Sequence, residues 1–251
     1  MNKEKKIAVY TAFFGEGHGL INQPKYDNVD YICFTDAEIK SKTWRIEKVE
    51  PPCANDNTRN NRYYKILPHL HLKNYDLSIY IDANFLLLKD PNSFVFSVLM
   101  DKSFASFNHQ ENFRDPINCI YKEYDHIMEY GAKIGSYKDD PKVMKQQMDR
   151  FKNEGYPADN GLMTAGVMIR KHNERDVIEV MESWWDIVKN ESKRDQLSFN
   201  YVIWKKNFTN YIYLKGDIRK GNPWFYFVGS HRKNYKTKMF KLKFKRLFLK
   251  F

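Results

Sequence analysis

Cysteine is scarce in this chain. Cys33, Cys53 and Cys119 are widely spaced and form no CxxC pair. That pattern excludes a disulfide framework or a zinc ribbon and points to a reducing compartment. Glycine and proline are also thin, at 11 and 9 of 251 residues, which excludes a collagen-like or low-complexity chain. No apolar run approaches the roughly 18 residues that a membrane-spanning helix needs. The opening residues, Met1 to Lys6, lead straight into an apolar stretch without a small-residue cleavage site, so a secretory leader is not expected. Acidic residues are missing altogether after Asp217.

Aromatic residues are plentiful: 18 Phe, 17 Tyr and 5 Trp exclude disorder as a description of the whole. The length allows one large domain with a substantial core. Lys and Arg number 42 against 31 Asp and Glu, a formal charge of +11. Eleven of those cations lie beyond Asp217, so the chain up to that point is neutral and the excess reads as belonging to a basic tail. The division expected is a domain over residues 1–230 and a basic amphipathic tail over 231–251. In the tail, Phe240, Phe244, Leu247, Phe248 and Phe251 share one side of a helix, which suits an anionic membrane surface. The alternation of Phe240, Leu242 and Phe244 suits a strand instead.

Hydrophobic periodicity gives strands at 6–12, 29–35, 43–49, 77–81, 104–107, 164–170 and 211–214. Helices are expected from Asp56-Asn57-Thr58 to about Leu67, over 117–134, 141–153 and 174–190, and from Ser192 to about Lys205. Val177, Val180, Met181, Trp184 and Val188 form the apolar face of the fourth, which places Trp184 in the core. Strands alternating with helices imply an α/β sheet covered on both faces. Such sheets bind ligands at the carboxyl ends of their strands. The polar residues there are therefore the candidates: Thr11 and Ala12, then Asp36, then Asp82-Ala83-Asn84. A carboxylate after a buried strand can hold a hard cation through oxygen. Arg59, Arg62 and Lys65, on the helix before the fourth strand, can clamp phosphates; a solvated helix face is the plainer reading.

Several segments together resemble the bacterial and plant glycosyltransferase-domain family that includes plant mucilage glycosyltransferases. They are Arg62-Tyr63-Tyr64-Lys65-Ile66-Leu67-Pro68-His69, Ser78-Ile79-Tyr80-Ile81-Asp82-Ala83-Asn84, Asn108-His109 with Arg114 and Cys119-Ile120-Tyr121, Gly166 to Asn173, Trp184-Trp185, and Ser192 to Phe199. The resemblance spans roughly residues 7 to 205 and implies a GT-A-type fold, a Rossmann-like mixed sheet flanked by helices. It also implies a nucleotide-sugar donor, UDP-linked, and a D-x-D motif holding Mn²⁺ or Mg²⁺. Here that motif reads Asp82-Ala83-Asn84, so an amide replaces the second acid. Lys193-Arg194-Asp195-Gln196 is similar to the D-Q segment of family-8, glycogenin-like transferases, which implies catalytic positions at Asp195 and Gln196. A late histidine completes the metal shell in such enzymes, and His231 is the counterpart. His109 and Arg114, with Asn160 and Gly161, are the positions expected to contact donor sugar or acceptor.

The function that follows is sugar transfer to a glycan or lipid-linked acceptor in bacterial surface polysaccharide or lipooligosaccharide synthesis. The expected place is the cytoplasm, peripheral at the inner face of the cell membrane. A non-catalytic sugar-binding homologue and a nucleic-acid-binding protein using the basic tail are the alternatives. The neutral body argues against the second of these, and no nucleic-acid partner is expected.

Overall fold

The computed structural model describes residues 5–15 and 20–229, with Thr237, Phe240, Lys241 and Phe244. Nine strands are described: β1 Ile7–Ala12, β2 Val29–Thr35, β3 Arg45–Lys48, β4 Leu77–Ile81, β5 Phe85–Leu87, β6 Phe104–Asn108, β7 Met163–Arg170, β8 Tyr211–Leu214 and β9 Phe225–Phe227. The helices are α1 Asn57–Ile66, α2 Pro68–His71, α3 Val95–Leu99, α4 Ile120–Ile134, α5 Pro141–Asn153, α6 Arg175–Asn190 and α7 Phe199–Lys205.

Seven strands form one sheet in the order β3-β2-β1-β4-β7-β6-β8, and β5 pairs with β9 in a second. The β3-β2-β1-β4 part is parallel, whereas β7 runs antiparallel to both β4 and β6. This is the mixed sheet flanked by helices that the resemblance implied. β1 and β4 are buried at every residue, because both of their faces are covered. Alternate side chains serve opposite cores: Ala8, Tyr10 and Ala12 join Trp184 and Phe199 on one side, while Ile7 and Val9 join Phe94 and Phe225 on the other.

The chain order reverses at β1, since β2 and β3 lie to one side of it and β4 to the other. A crevice opens outside the carboxyl ends of strands at such a point. The Tyr10–Tyr80 register runs on to bring Ala12 level with Asp82.

Two elements differ from the sequence reading. The helix expected over 192–205 is broken: a single 3-10 turn at Asp195–Leu197 precedes α7. The Asp195 carbonyl accepts from Trp184 Nε1 at 3.0 Å and from Ser198 N at 3.2 Å, which tightens the turn. The second is the small sheet. There β9, within the 1–230 domain expected from sequence, pairs with β5, a pairing the strand pattern did not give. The tail itself and the boundary at 230 lie almost wholly outside the described residues. Of the tail, Phe240 and Phe244 are in helical backbone, both exposed, with rings 6.2 Å apart. Among the described residues no helix is long and apolar enough to cross a membrane.

Candidate active site

Two adjoining cavities occupy the crevice at the ends of β1 and β4. One, of about 480 Å³, is lined by Ala12, Phe13, Phe14, Asn61, Tyr80 and Lys138. The other, of about 290 Å³, is lined by Lys65, His109, Asp195, Gln196, Gly166 and Arg219. Arg62, Asp82, Asn84 and Arg194 line both. A third space, of about 510 Å³, opens beside them along α4 and shares His109, Arg194, Gln196 and Arg219.

Asp82 follows β4 directly and is half-buried at the mouth of the crevice. Its Oδ1 accepts from the Tyr80 hydroxyl at 2.9 Å. Burial, with the Asp82 charge beside it, keeps that phenol protonated by raising it well above its ordinary range. The Asp82 backbone N–H donates to Gly166 O at 2.9 Å across the β4–β7 ladder. A Cβ at Gly166 would come within 3.3 Å of Asp82 Oδ2 and 3.1 Å of Ile218 Cδ1, so the absence of a side chain there leaves the carboxylate its place.

Asn84 Oδ1 is buried and accepts no hydrogen bond among the described residues. An orphaned buried carbonyl oxygen beside a carboxylate is what a hard, oxygen-seeking cation fits. Asp82 and Asn84 therefore suit Mn²⁺ or Mg²⁺, with one charge fewer than a pair of acids. No cluster of three His, Cys, Asp or Glu is present among the described residues. His231, the expected third ligand, lies outside them.

The floor of the crevice is an ion cluster. Asp195 is 3% exposed, and its Oδ2 lies 2.5 Å from Lys65 Nζ and 3.0 Å from Arg62 Nε. The Arg62 contact is an ion pair without hydrogen-bond alignment. Burial alone would raise the Asp195 carboxyl, but Arg62, Lys65 and Arg194 overcome it and hold the group well below the usual carboxylate range. Burial pushes the Lys65 ammonium down, and Asp195 draws it back. Arg170, fully buried in β7, donates to Lys65 O at 2.9 Å and to the Tyr10 hydroxyl, which fixes the end of α1 and so the reach of Lys65. A carboxylate this committed to two cations fits a positioning part better than nucleophilic attack. Gln196, half-buried, lines both the smaller cavity and the space along α4.

The crevice thus gathers Ala12, Arg62, Lys65, Asp82, Asn84, His109, Asp195 and Gln196 of the residues expected from sequence. His109 is 8% exposed, its Nδ1 has no partner among the described residues, and burial lowers its affinity for a proton. Other expected residues lie elsewhere. Arg59 donates to the carbonyls of Val188, Lys189 and Glu191 and to Asp56, so all three of its nitrogens are engaged in capping the end of α6, and it lines neither cavity. Thr11 is fully buried within β1 and lines neither cavity. Asp36 accepts from Gly15 N at 3.2 Å, tying the end of β2 to the loop after β1. Arg114 is exposed outside the crevice. Asn160 and Gly161 form a turn against α7: Gly161 has φ +88°, and a Cβ there would meet Asn200 Nδ2 at 2.7 Å.

Four contributors escaped the sequence reading. Arg194 stands beside Asp195 and lines all three spaces. Arg219 had been counted with the tail. Asn61, one helical step from Arg62, donates its side-chain amide to Ala12 O and ties α1 to β1. Lys138 arrives from the loop after α4, with no local signal in the sequence.

A family model described as TOD1/MUCI70, glycosyltransferase-like domain, matches residues 3–217. A probable hexosyltransferase MUCI70 of Arabidopsis thaliana is 27% identical over 196 residues, which are 73% of this chain and 32% of that protein. The chain therefore spans about a third of that relative's length. Among solved structures, the WbbM bifunctional glycosyltransferase overlays with a TM-score of 0.47 at 12% identity, covering 85% of this chain and 39% of that one. The galactosyltransferase LgtC, solved with donor and acceptor sugar analogues, overlays at 0.41 and 13% identity, covering 84% and 73%. At these low TM-scores the overlays add nothing to the family assignment.

Proposed function

The chain belongs to the TOD1/MUCI70 glycosyltransferase-like family, and we propose that it moves a sugar from a UDP-linked donor to a hydroxyl of a glycan or glycolipid acceptor. One observation carries this reading. At the topological switch point, among the described residues, Arg62, Lys65, Lys138, Arg194 and Arg219 stand against the carboxylates of Asp82 and Asp195. A crevice with that surplus attracts an anion, and a nucleoside diphosphate is the anion such a sheet end accommodates.

The proposed division of labour follows from position. Ala12, Phe13 and Phe14 border the side where the nucleotide lies. Arg62 and Arg194 face the diphosphate. Asp195 holds Arg62 and Lys65 in place, so that their charge is organised before the sugar–phosphate bond breaks, and preorganised charge is the most effective kind. Gln196 and His109 stand at the junction with the third space, where the sugar meets its acceptor. Asp82 and Asn84 would hold Mn²⁺ or Mg²⁺, which when bound neutralises charge on the departing diphosphate.

In the same reading the basic segment 231–251 brings the enzyme to an anionic membrane at the cytoplasmic face, where lipid-linked acceptors of bacterial surface polysaccharide or lipooligosaccharide are assembled. The exposed Phe240 and Phe244, one helical turn apart, support this. A thermal-shift screen of nucleotide sugars with and without Mn²⁺ tests the donor. A ligand that binds the folded state raises the melting temperature by mass action. The expected result is a rise with one nucleoside-diphosphate sugar, larger with the metal. A flat response to every nucleotide sugar contradicts the proposal.

A further inference from the structure

The third space is a groove along one face of α4. Glu123, His126, Ile127 and Tyr130 line it at i, i+3, i+4 and i+7, the spacing of a single helical stripe. The opposite wall is the turn that carries Arg194 and Gln196, which also border the crevice. The groove therefore opens directly onto the junction where a donor's sugar would sit.

Glu123 is the unusual member. It is 8% exposed, yet no described residue donates a hydrogen bond to its carboxyl group. Burial raises its proton affinity, and Arg194 and Lys138 oppose that rise. Its oxygens are not among the buried polar atoms left without a partner, so the carboxylate opens to the groove and can accept from a hydroxyl there. Tyr130, 55% exposed, offers a ring face at the groove's outer end. Apolar ring faces stack on the C–H faces of pyranoses, while hydroxyl groups seek carboxylates. The groove's ionisable lining is nearly balanced: four cations, Arg194 and Arg219 among them, face the carboxylates of Asp115, Glu123 and Glu129. The crevice has a surplus of positive charge; the groove has almost none.

We propose that this groove is the acceptor subsite, that it takes an uncharged pyranose, and that Glu123 accepts a hydrogen bond from the acceptor's hydroxyl and orients it toward the donor. This rests on the donor reading above. The contrast in charge assigns the diphosphate to the crevice and the neutral sugar to the groove.

Saturation-transfer NMR tests it. The probes are methyl hexopyranosides, with a hexose phosphate as the charged comparison, in the presence of uridine diphosphate and Mg²⁺. The wild type is expected to transfer saturation to at least one neutral hexoside and to prefer it to the hexose phosphate. Glu123→Ala is expected to reduce that signal about tenfold. Tyr130→Ala, at an exposed position that does not threaten folding, is expected to weaken it as well. The melting-temperature rise produced by uridine diphosphate should be unchanged in both variants. Absence of any hexoside signal in the wild type, undiminished signals in both variants, or a preference for the phosphate overturns the proposal. Loss of the nucleotide response in the wild type overturns the donor reading instead, so the two failures are distinct.

Discussion

Asp195 concentrates the electrostatics of the molecule in one side chain. It is buried, ionised and shared between Lys65 and Arg62. Asp195→Asn leaves both cations without their counter-charge, and breaking a buried pair in this way costs about 3–5 kcal/mol. Urea denaturation at neutral pH should show a loss of that size. The Asp195 carboxyl is depressed in the fold, so its contribution is present above the unfolded carboxylate range and is lost only as pH falls below it. His172 sets a different window. It is fully buried, with Nε2 2.9 Å from Leu72 O, and burial lowers its pKa to about 4. Its unfolded value is near 6.5, so its contribution is complete above that pH and disappears as pH falls toward 4. The total is roughly 3 kcal/mol. A stability-against-pH curve should fall through this interval, and more shallowly in His172→Gln, which keeps a donor for the Leu72 carbonyl.

At the scale of elements, the crevice depends on how strands and helix ends meet. Gly166→Val places carbon atoms against Asp82 Oδ2, Ile218 and Phe85. The overpacking should cost about 1–3 kcal/mol in stability and abolish the nucleotide-sugar thermal shift, with Gly166→Ala intermediate. Arg59 and Arg194 make a discriminating pair. Arg59→Ala uncaps α6 and should lower the melting temperature while leaving nucleotide affinity intact; Arg194→Ala should do the reverse. Titration calorimetry with uridine diphosphate on both variants reads the difference.

Much of this scale was legible in the sequence. Continuous apolar runs marked β1, β4 and β7, and Asp56 marked the start of α1, where its side chain accepts from Arg59 N. Strand-end polarity brought Asp82 and Asn84 to the crevice. The small sheet was not legible, because Phe85–Leu87 and Phe225–Phe227 are three residues each and pair across most of the chain. Nor was the fate of Arg59: spacing placed it beside Arg62, but only the docking of α6 shows that its donors are occupied. Lys138 has no pattern of its own, since tertiary contact alone carries it to the site, whereas Arg194 adjoins Asp195 in sequence and only the fold shows that it lines the crevice.

For the whole molecule, charge is partitioned by place. The first 217 residues are neutral in sum, yet the fold collects a positive surplus at the sheet's switch point. The formal excess itself lies beyond Asp217, and of it only Arg219 lines the crevice among the described residues. Removing residues 236–251 should abolish sedimentation with anionic liposomes and leave donor binding unchanged. Equal sedimentation of the truncated chain would remove the membrane role without touching the site.

The most direct test of the donor crevice is the rate at which nucleoside diphosphate is released from a nucleotide sugar by wild type and by Asp82→Ala. The carboxylate is half-buried at the crevice mouth, so the fold should survive its loss, with a melting temperature lowered only by the missing Tyr80 hydrogen bond. Release should drop by about 100-fold or more, as when a group that stabilises developing charge is removed. An Asp82→Ala protein that releases the diphosphate at the full rate would contradict the account.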